Sequence, residues 1–158
     1  ANLEMARRYF THIGPSTIHD AMYYFHATAA QVKDWLSKLP VSTAECEGKT
    51  YLYIDNNQTY DQGIPKCLFL AGFDQLLLAH EKKESLFLSQ ENLRAIFNLA
   101  GIVMPALMID GEVVGKWKKK NKKLLVTMFR TAAQQEKDIV ADFAGTLWND
   151  IASISFDE

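Results

Sequence analysis

The chain has 158 residues, 48% of them hydrophobic, and a formal net charge of −2, enough apolar material for one domain or two small ones in close contact. No apolar run reaches the roughly 18 residues of a membrane-spanning helix, and Asn2 to Arg8 lacks the apolar stretch of a signal peptide, so a globular protein with a cytoplasmic address and no membrane partner is expected. Cys46, Cys67 and the scattered His12, His19, His26 and His80 lack the ligand spacing of a zinc site, and both cysteines are read as packing residues.

Leu3, Met5, Ala6, Tyr9 and Phe10 have helical spacing from the outset, which predicts a first helix over residues 3–13 ended by Gly14-Pro15. The helical spacing starts abruptly, with no initiator methionine at position 1, as expected of a piece of a longer protein. Ser16 suits the cap of a second helix with Ile18, Ala21, Met22 and Phe25 on one face. Thr28 suits the cap of a third, running to about Leu39 and stopped by Pro40, with Val32, Trp35, Leu36 and Leu39 as its buried stripe. Two alternating segments, 41–45 and 50–54, are joined by a turn at Glu47-Gly48-Lys49. Three helices followed by a hairpin is the order of a winged helix, in which helix three enters the DNA major groove. Protein-docking modules use the same order.

Residues 55–66 are polar and turn-rich and read as a linker. Beyond them the pattern predicts a buried strand from Cys67 to Leu70, a turn at Gly72-Phe73-Asp74, a short apolar stretch from Gln75 to His80, and a brief helix capped by Ser89. Val103 to Ile109 is strand-like, Asp110-Gly111 is a favoured hairpin turn, and Val113 to Lys118 returns. Leu124 to Phe129 alternates as a third strand. Thr131 suits the cap of a helix to about Ile154, with Ile139, Val140, Phe143, Leu147 and Ile151 facing inward. The expected fold is α+β: a winged helix over residues 1–57, then a second winged-helix-like unit over 58–158 with an antiparallel sheet and a long C-terminal helix.

Charge is concentrated in one place. Lys116, Lys118, Lys119, Lys120, Lys122 and Lys123 supply six of the 17 basic residues and are placed in the connection between the last two strands. Such a run attracts phosphates and releases their counterions without reading sequence; lysines also serve to keep strand edges from aggregating. Trp117, inside the run, suits either stacking on a base or anchoring the sheet in the core. Thr28, Gln31 and Lys33 lie near the start of the third helix, where a recognition helix meets DNA, but Asp34, Glu45 and Glu47 oppose an anion there. The histidines at positions 12, 19 and 26 fall on different elements, and Ser16, His19 and Asp20 do not form a triad.

Arg8-Tyr9-Phe10 through Gly14-Pro15-Ser16-Thr17, the turn Leu70-Ala71-Gly72-Phe73-Asp74, and Asp110-Gly111 followed by Gly115-Lys116-Trp117 occur in an order that resembles one family. It is similar to the winged-helix DNA-binding proteins that include the bacterial AlkZ and YcaQ type DNA glycosylases. The resemblance runs from Arg7 to about Ile151 and implies consecutive winged-helix units that grip duplex DNA. It implies DNA repair without metal or organic cofactor, glycosylase members releasing alkylated or crosslinked bases. The catalytic motif of those members, Gln-aliphatic-Gln or Gln-aliphatic-Asp, is not found here; Gln31-Val32-Lys33 lacks the final acid or amide. Gln75 and His80-Glu81 also depart from the family pattern. The chain is therefore expected to be a non-catalytic DNA-binding fragment resembling the middle and C-terminal parts of such a protein, with an upstream domain as a further partner. The alternatives are a full-length glycosylase with its chemistry upstream, or a protein-docking module.

Overall fold

A computed structural model describes residues 2–58 and 63–158. They divide into two units, one formed by residues 2–58 with Gln75–Glu81, the other by Gly63–Asp74 with Lys82–Glu158. The expected linker lies partly outside the described residues.

In the first unit, α1 (Asn2–His12), α2 (Ile18–Phe25) and α3 (Ala29–Leu36) precede an antiparallel pair, β1 (Ser42–Cys46) and β2 (Lys49–Tyr53). Glu47 and Gly48, with φ of 50° and 73°, make the tight turn between these strands. The core holds Tyr9, Phe10, Ala21, Val32 and Ala79, with Phe25, Trp35 and Leu52 packed against it. The expected stripe of α3 narrows to Val32, because the helix stops at Leu36 and leaves Trp35, Leu36 and Leu39 half-buried. The α1 end is closed by the residue after β2: the Phe10 carbonyl, left over at the helix terminus, accepts the Ile54 N–H at 2.9 Å. A Cβ on Gly14 would stand 2.6 Å from that same oxygen, so the position requires glycine.

The cap of α2 differs from expectation. Thr17, not Ser16, is the N-cap, and it forms a reciprocal box with Asp20. Ser16 is instead buried and bridges to Leu52 through both backbone groups, which leaves its hydroxyl pointing inward. Asp20 is also buried. One carboxylate oxygen accepts from the Thr17 N–H and hydroxyl at 2.7 and 2.8 Å, and the other accepts the Glu81 N–H at 2.7 Å. Together with the Tyr9 hydroxyl donating to the Ala79 carbonyl at 2.8 Å, this bond holds Gln75–Glu81, which includes α4 (Gln75–Leu78), in the first unit.

The second unit contains a five-stranded sheet ordered β3-β4-β5-β6-β7, comprising Cys67–Leu70, Ala106–Ile109, Glu112–Lys120, Lys123–Met128 and Ser153–Asp157. A 3-10 turn at Gln90–Asn92 runs into α5 (Leu93–Ile96), and α6 (Gln134–Leu147) packs on one face of the sheet. Asp110 and Gly111, at φ 48° and 85°, form the expected hairpin turn. The buried face carries Leu107, Ile109, Leu124, Val126 and Met128 against Val140 and Ala144.

Two expectations are corrected at the C-terminus. The helix runs from Gln134 to Leu147, starting later than a Thr131 cap implies and stopping before Ile151. Ser-Ile-Ser-Phe-Asp then alternates in burial and pairs parallel to β6, so the sheet is mixed and not antiparallel. Ile151 and Ile154 do fall at helical spacing from Leu147, but parallel pairing with β6 supplies a ladder of backbone hydrogen bonds and seats Ile154 and Phe156 against the core. Leu147 is correspondingly left 48% exposed.

Cys46 lies on the exposed β1, contrary to the packing role expected of it, while Cys67 is buried and its thiol is pushed up to about 11 by burial. At pH 8 a soluble thiol reagent is expected to modify Cys46 in the folded protein and Cys67 only after denaturation; mass spectrometry of the two peptides checks this. Asp20→Ala is expected to lower stability by about 2 kcal/mol, since it orphans the Thr17 and Glu81 N–H groups together; urea unfolding followed by circular dichroism measures it.

Candidate nucleic-acid interface

Strand register decides where each lysine of the run points. The pairs Lys116↔Thr127, Lys118↔Leu125 and Lys120↔Lys123 alternate along the hairpin with Trp117↔Val126 and Lys119↔Leu124. Since Val126 and Leu124 are on the face covered by α6, Trp117 and Lys119 share that face, and Lys116, Lys118, Lys120 and Lys123 lie on the opposite one. The lysines are thus mostly part of the strands themselves and not of the connection, which consists only of Asn121 and Lys122. Asn121 takes the left-handed conformation there, with φ 53°.

The outer face is one of uncompensated charge. Lys118, Lys120, Lys122 and Lys123 are exposed and Lys116 half-buried, and none of the five forms an ion pair among the described residues. Leu125, 36% exposed, lies among them beside Thr127. Lys120 and Lys123 stand directly opposite each other, an arrangement that is destabilising between like charges. A face meant only for solubility gains nothing from that pairing.

Lys119 differs. Its ammonium donates to the Asn121 carbonyl at 2.8 Å and pairs with Asp150 at 3.2 Å. The Lys122 carbonyl accepts the Ala152 N–H at 2.7 Å, a second tie between the turn and the segment following α6. Trp117 is half-buried, its indole N–H donates to the Leu70 carbonyl at 2.9 Å, and its ring meets Phe69 and Trp148 at 5.6 and 5.3 Å. It has the surroundings of a core anchor.

The α3 residues belong to the first unit. Thr28 caps the helix, with its hydroxyl accepting the Gln31 N–H at 3.3 Å, while the Gln31 side chain accepts the Thr28 N–H at 2.9 Å. Both side chains are thereby engaged in a capping box, whereas Lys33 is exposed. Asp34 pairs with Lys38 at 2.7 Å, which offsets its charge beside Lys33. His19 is exposed, and the Asp20 carboxylate next to it is turned to Thr17 and Glu81. Among the described residues no three potential metal ligands lie together, and no helix is long and apolar enough to cross a membrane.

Asp150 was not a candidate from sequence; only the Asn149-Asp150 turn signal after the helix marks it. On the other side of the sheet, α6 begins with an acidic anchor. Arg130 donates to Glu136 through two nitrogens at 2.9 and 2.6 Å, and Glu136 also accepts the Ala133 N–H at 3.0 Å. The hydrogen-bonded guanidinium, helped by the Ala133 N–H, pulls the Glu136 carboxyl down to about 2.

Comparison with known proteins places this geometry in context. A family model described as DNA glycosylase AlkZ-like matches residues 1–147. An interstrand DNA cross-link repair glycosylase from Streptomyces sahachiroi is 27% identical over 131 residues, covering 78% of this chain and 35% of the relative. The solved structure of Streptomyces sahachiroi DNA glycosylase AlkZ shares the fold, with a TM-score of 0.82 at 21% identity over 98% of this chain and 45% of that one. The chain thus spans less than half the length of either relative.

The Glu136 ion pair sets an acid limit. A carboxyl held below its ordinary value of 4.5 stabilises the fold above that pH and loses the contribution as pH falls toward 2. Because the pair is at the surface, Glu136→Gln is expected to cost at most about 1 kcal/mol at pH 7. The gap from the parent is expected to close between pH 4.5 and about 2, as read from thermal unfolding at a series of pH values.

Proposed function

Because the chain belongs to the AlkZ-like DNA glycosylase family, we propose that it is a DNA-contacting part of a repair glycosylase, gripping the backbone of duplex DNA through the outer lysine face of β5 and β6. The observation that carries this reading is the like-charged pair Lys120–Lys123 within a face that has no acidic partners among the described residues. Phosphates relieve that repulsion, and each one neutralised releases counterions. Contacts of this kind position DNA without reading its bases.

In this reading the order of α1, α2, α3, β1 and β2 is that of a winged helix, and the second unit is a related one with a mixed sheet. Lys33, exposed on α3, is the basic side chain that this helix offers to DNA, with Thr28 and Gln31 shaping its N-terminal end. The chain has no Gln-aliphatic-Gln or Gln-aliphatic-Asp triplet. The base-releasing chemistry is accordingly assigned to residues outside it, in the longer protein that the relatives' lengths suggest. The relative's name makes interstrand cross-links the lesion class to try first.

Binding to a fluorescent 20-base-pair duplex, titrated across salt concentrations, tests the proposal. The chain is expected to bind at low salt and weaken steeply as salt rises, with little preference among sequences. Replacing Lys116, Lys118, Lys120, Lys122 and Lys123 with serine is expected to flatten the log–log salt slope by about 0.9 for each phosphate that is no longer neutralised. No binding at low salt, or a slope unchanged by the fivefold replacement, overturns it.

A further inference from the structure

We infer that Lys119 is not a phosphate contact but a positioning residue, which through Asp150 fixes the tip of the lysine hairpin so that the outer row is presented as a rigid ridge. The inference rests on the DNA reading above and goes beyond it by dividing the six lysines into two roles.

Three observations carry the division. The register places Lys119 opposite Leu124, on the helix-covered face, away from the side that carries Lys116, Lys118, Lys120 and Lys123. Its side chain is 21% exposed, against 46% for Asp150, and it is the one lysine of the run with an acidic partner among the described residues. Its ammonium also closes onto the Asn121 carbonyl at 2.8 Å, inside the turn itself.

The physical need for such an anchor follows from the outer face. Lys116, Lys118 and Lys120 recur every second residue along β5, roughly 6.8 Å apart at the usual strand rise, a spacing comparable to that between neighbouring phosphates of one strand. A ridge of that kind binds best when its spacing is fixed before DNA arrives, since ordering long side chains and a loose hairpin otherwise subtracts from affinity. Repulsion between Lys120 and Lys123 acts in the other direction and favours fraying at the tip. The inward bonds oppose it: the Lys119 ion pair with Asp150 at 3.2 Å, and the Lys122 carbonyl accepting from Ala152 and Ser153 at 2.7 and 3.3 Å. Both reach the stretch from Asp150 to Ser153, which leads from α6 into β7.

Counterion release separates the roles. A residue that touches a phosphate contributes to the salt slope; one that only holds the hairpin changes affinity at constant slope. In the 158-residue chain, Lys119→Gln and Asp150→Asn are each expected to weaken duplex binding about fivefold, within the range of a surface ion pair, with the slope unchanged. Lys118→Ser is expected to lower the slope by about 0.9. Lys119→Arg, which keeps the ion pair, restores affinity. Amide exchange at Ala152 and Ser153 is expected to quicken in Lys119→Gln and Asp150→Asn and not in Lys118→Ser.

A slope that falls by about one in Lys119→Gln, as for a phosphate contact, overturns the inference while leaving the DNA reading intact. So does unchanged exchange at Ala152 and Ser153, or an Asp150→Asn variant that binds more tightly, which makes Asp150 merely a repelling charge. Parent protein that fails to bind at low salt sinks the DNA reading, and this inference with it.

Discussion

The pairing of β5 with β6 is the constraint on which the site depends. Side chains along a strand alternate between faces, so a slip of one residue exchanges the whole inner set for the outer one. In the observed register Trp117 meets Val126 and Lys118 meets Leu125. The inner set is pinned by groups that cannot be moved cheaply to water: Leu124, Val126 and Met128 are almost fully buried, and the Trp117 indole is bonded to Leu70. At about 25 cal/mol per Å² of apolar surface, exposing those side chains costs far more than any surface ion pair returns. The apolar side of the hairpin therefore sets the direction of its charged side. Gly115 belongs to the same constraint, since a Cβ there would come within 2.6 Å of the Thr127 carbonyl and push the two strands apart.

A second consequence is electrical. The net charge of −2 conceals a segregation within the second unit. One side of the sheet presents lysines, while α6 on the other exposes Asp138 and Asp142, the charge of Glu136 being taken up by Arg130. An anion approaching this unit meets attraction on one side and repulsion on the other, and at physiological salt it senses either only within about 8 Å. Orientation is thus decided locally, and net charge is a poor guide to it. In the first unit, the Asp34–Lys38 pair removes the objection that an acid beside Lys33 raises, without making α3 strongly positive.

Much of the architecture was legible because local signals agreed with one another. The Asp110-Gly111 turn, the alternation from Leu124 to Met128 and the Thr28 cap each state their own structure, and each is found. Where two readings shared one pattern, sequence failed. Ile151 and Ile154 fit a helix by their spacing from Leu147, whereas Ile154 and Phe156 fit a strand by alternation, and only the free edge of β6 decides between them. Ser16 and Thr17 are both good caps; burial of Ser16 beneath Leu52 hands the cap to Thr17. The six lysines were visible as a cluster, but their division needed the register, and Asp150 needed the fold to bring it 31 residues back to Lys119. Asp20 is the reverse case: a single acid unremarkable in sequence that proves to be buried because a backbone N–H 61 residues away requires an acceptor.

That last bond bears on how the polypeptide acquires its shape. Residues 75–81 complete the first unit, yet β3 of the second unit lies between them and α3 in the chain. As the chain leaves the ribosome, the first unit cannot finish its own core, in which Ala79 is wholly buried, until residues beyond the first strand of the second have emerged. The loop closed by Asp20 and Glu81 carries an entropic cost that grows only slowly with its length, but it delays the moment at which the bond forms. The two units are interleaved in time as well as in sequence. Truncation between residues 55 and 66, which looks in sequence like a clean cut in a polar linker, removes part of the first unit's interior, and the shortened product exposes an unfilled core to aggregation.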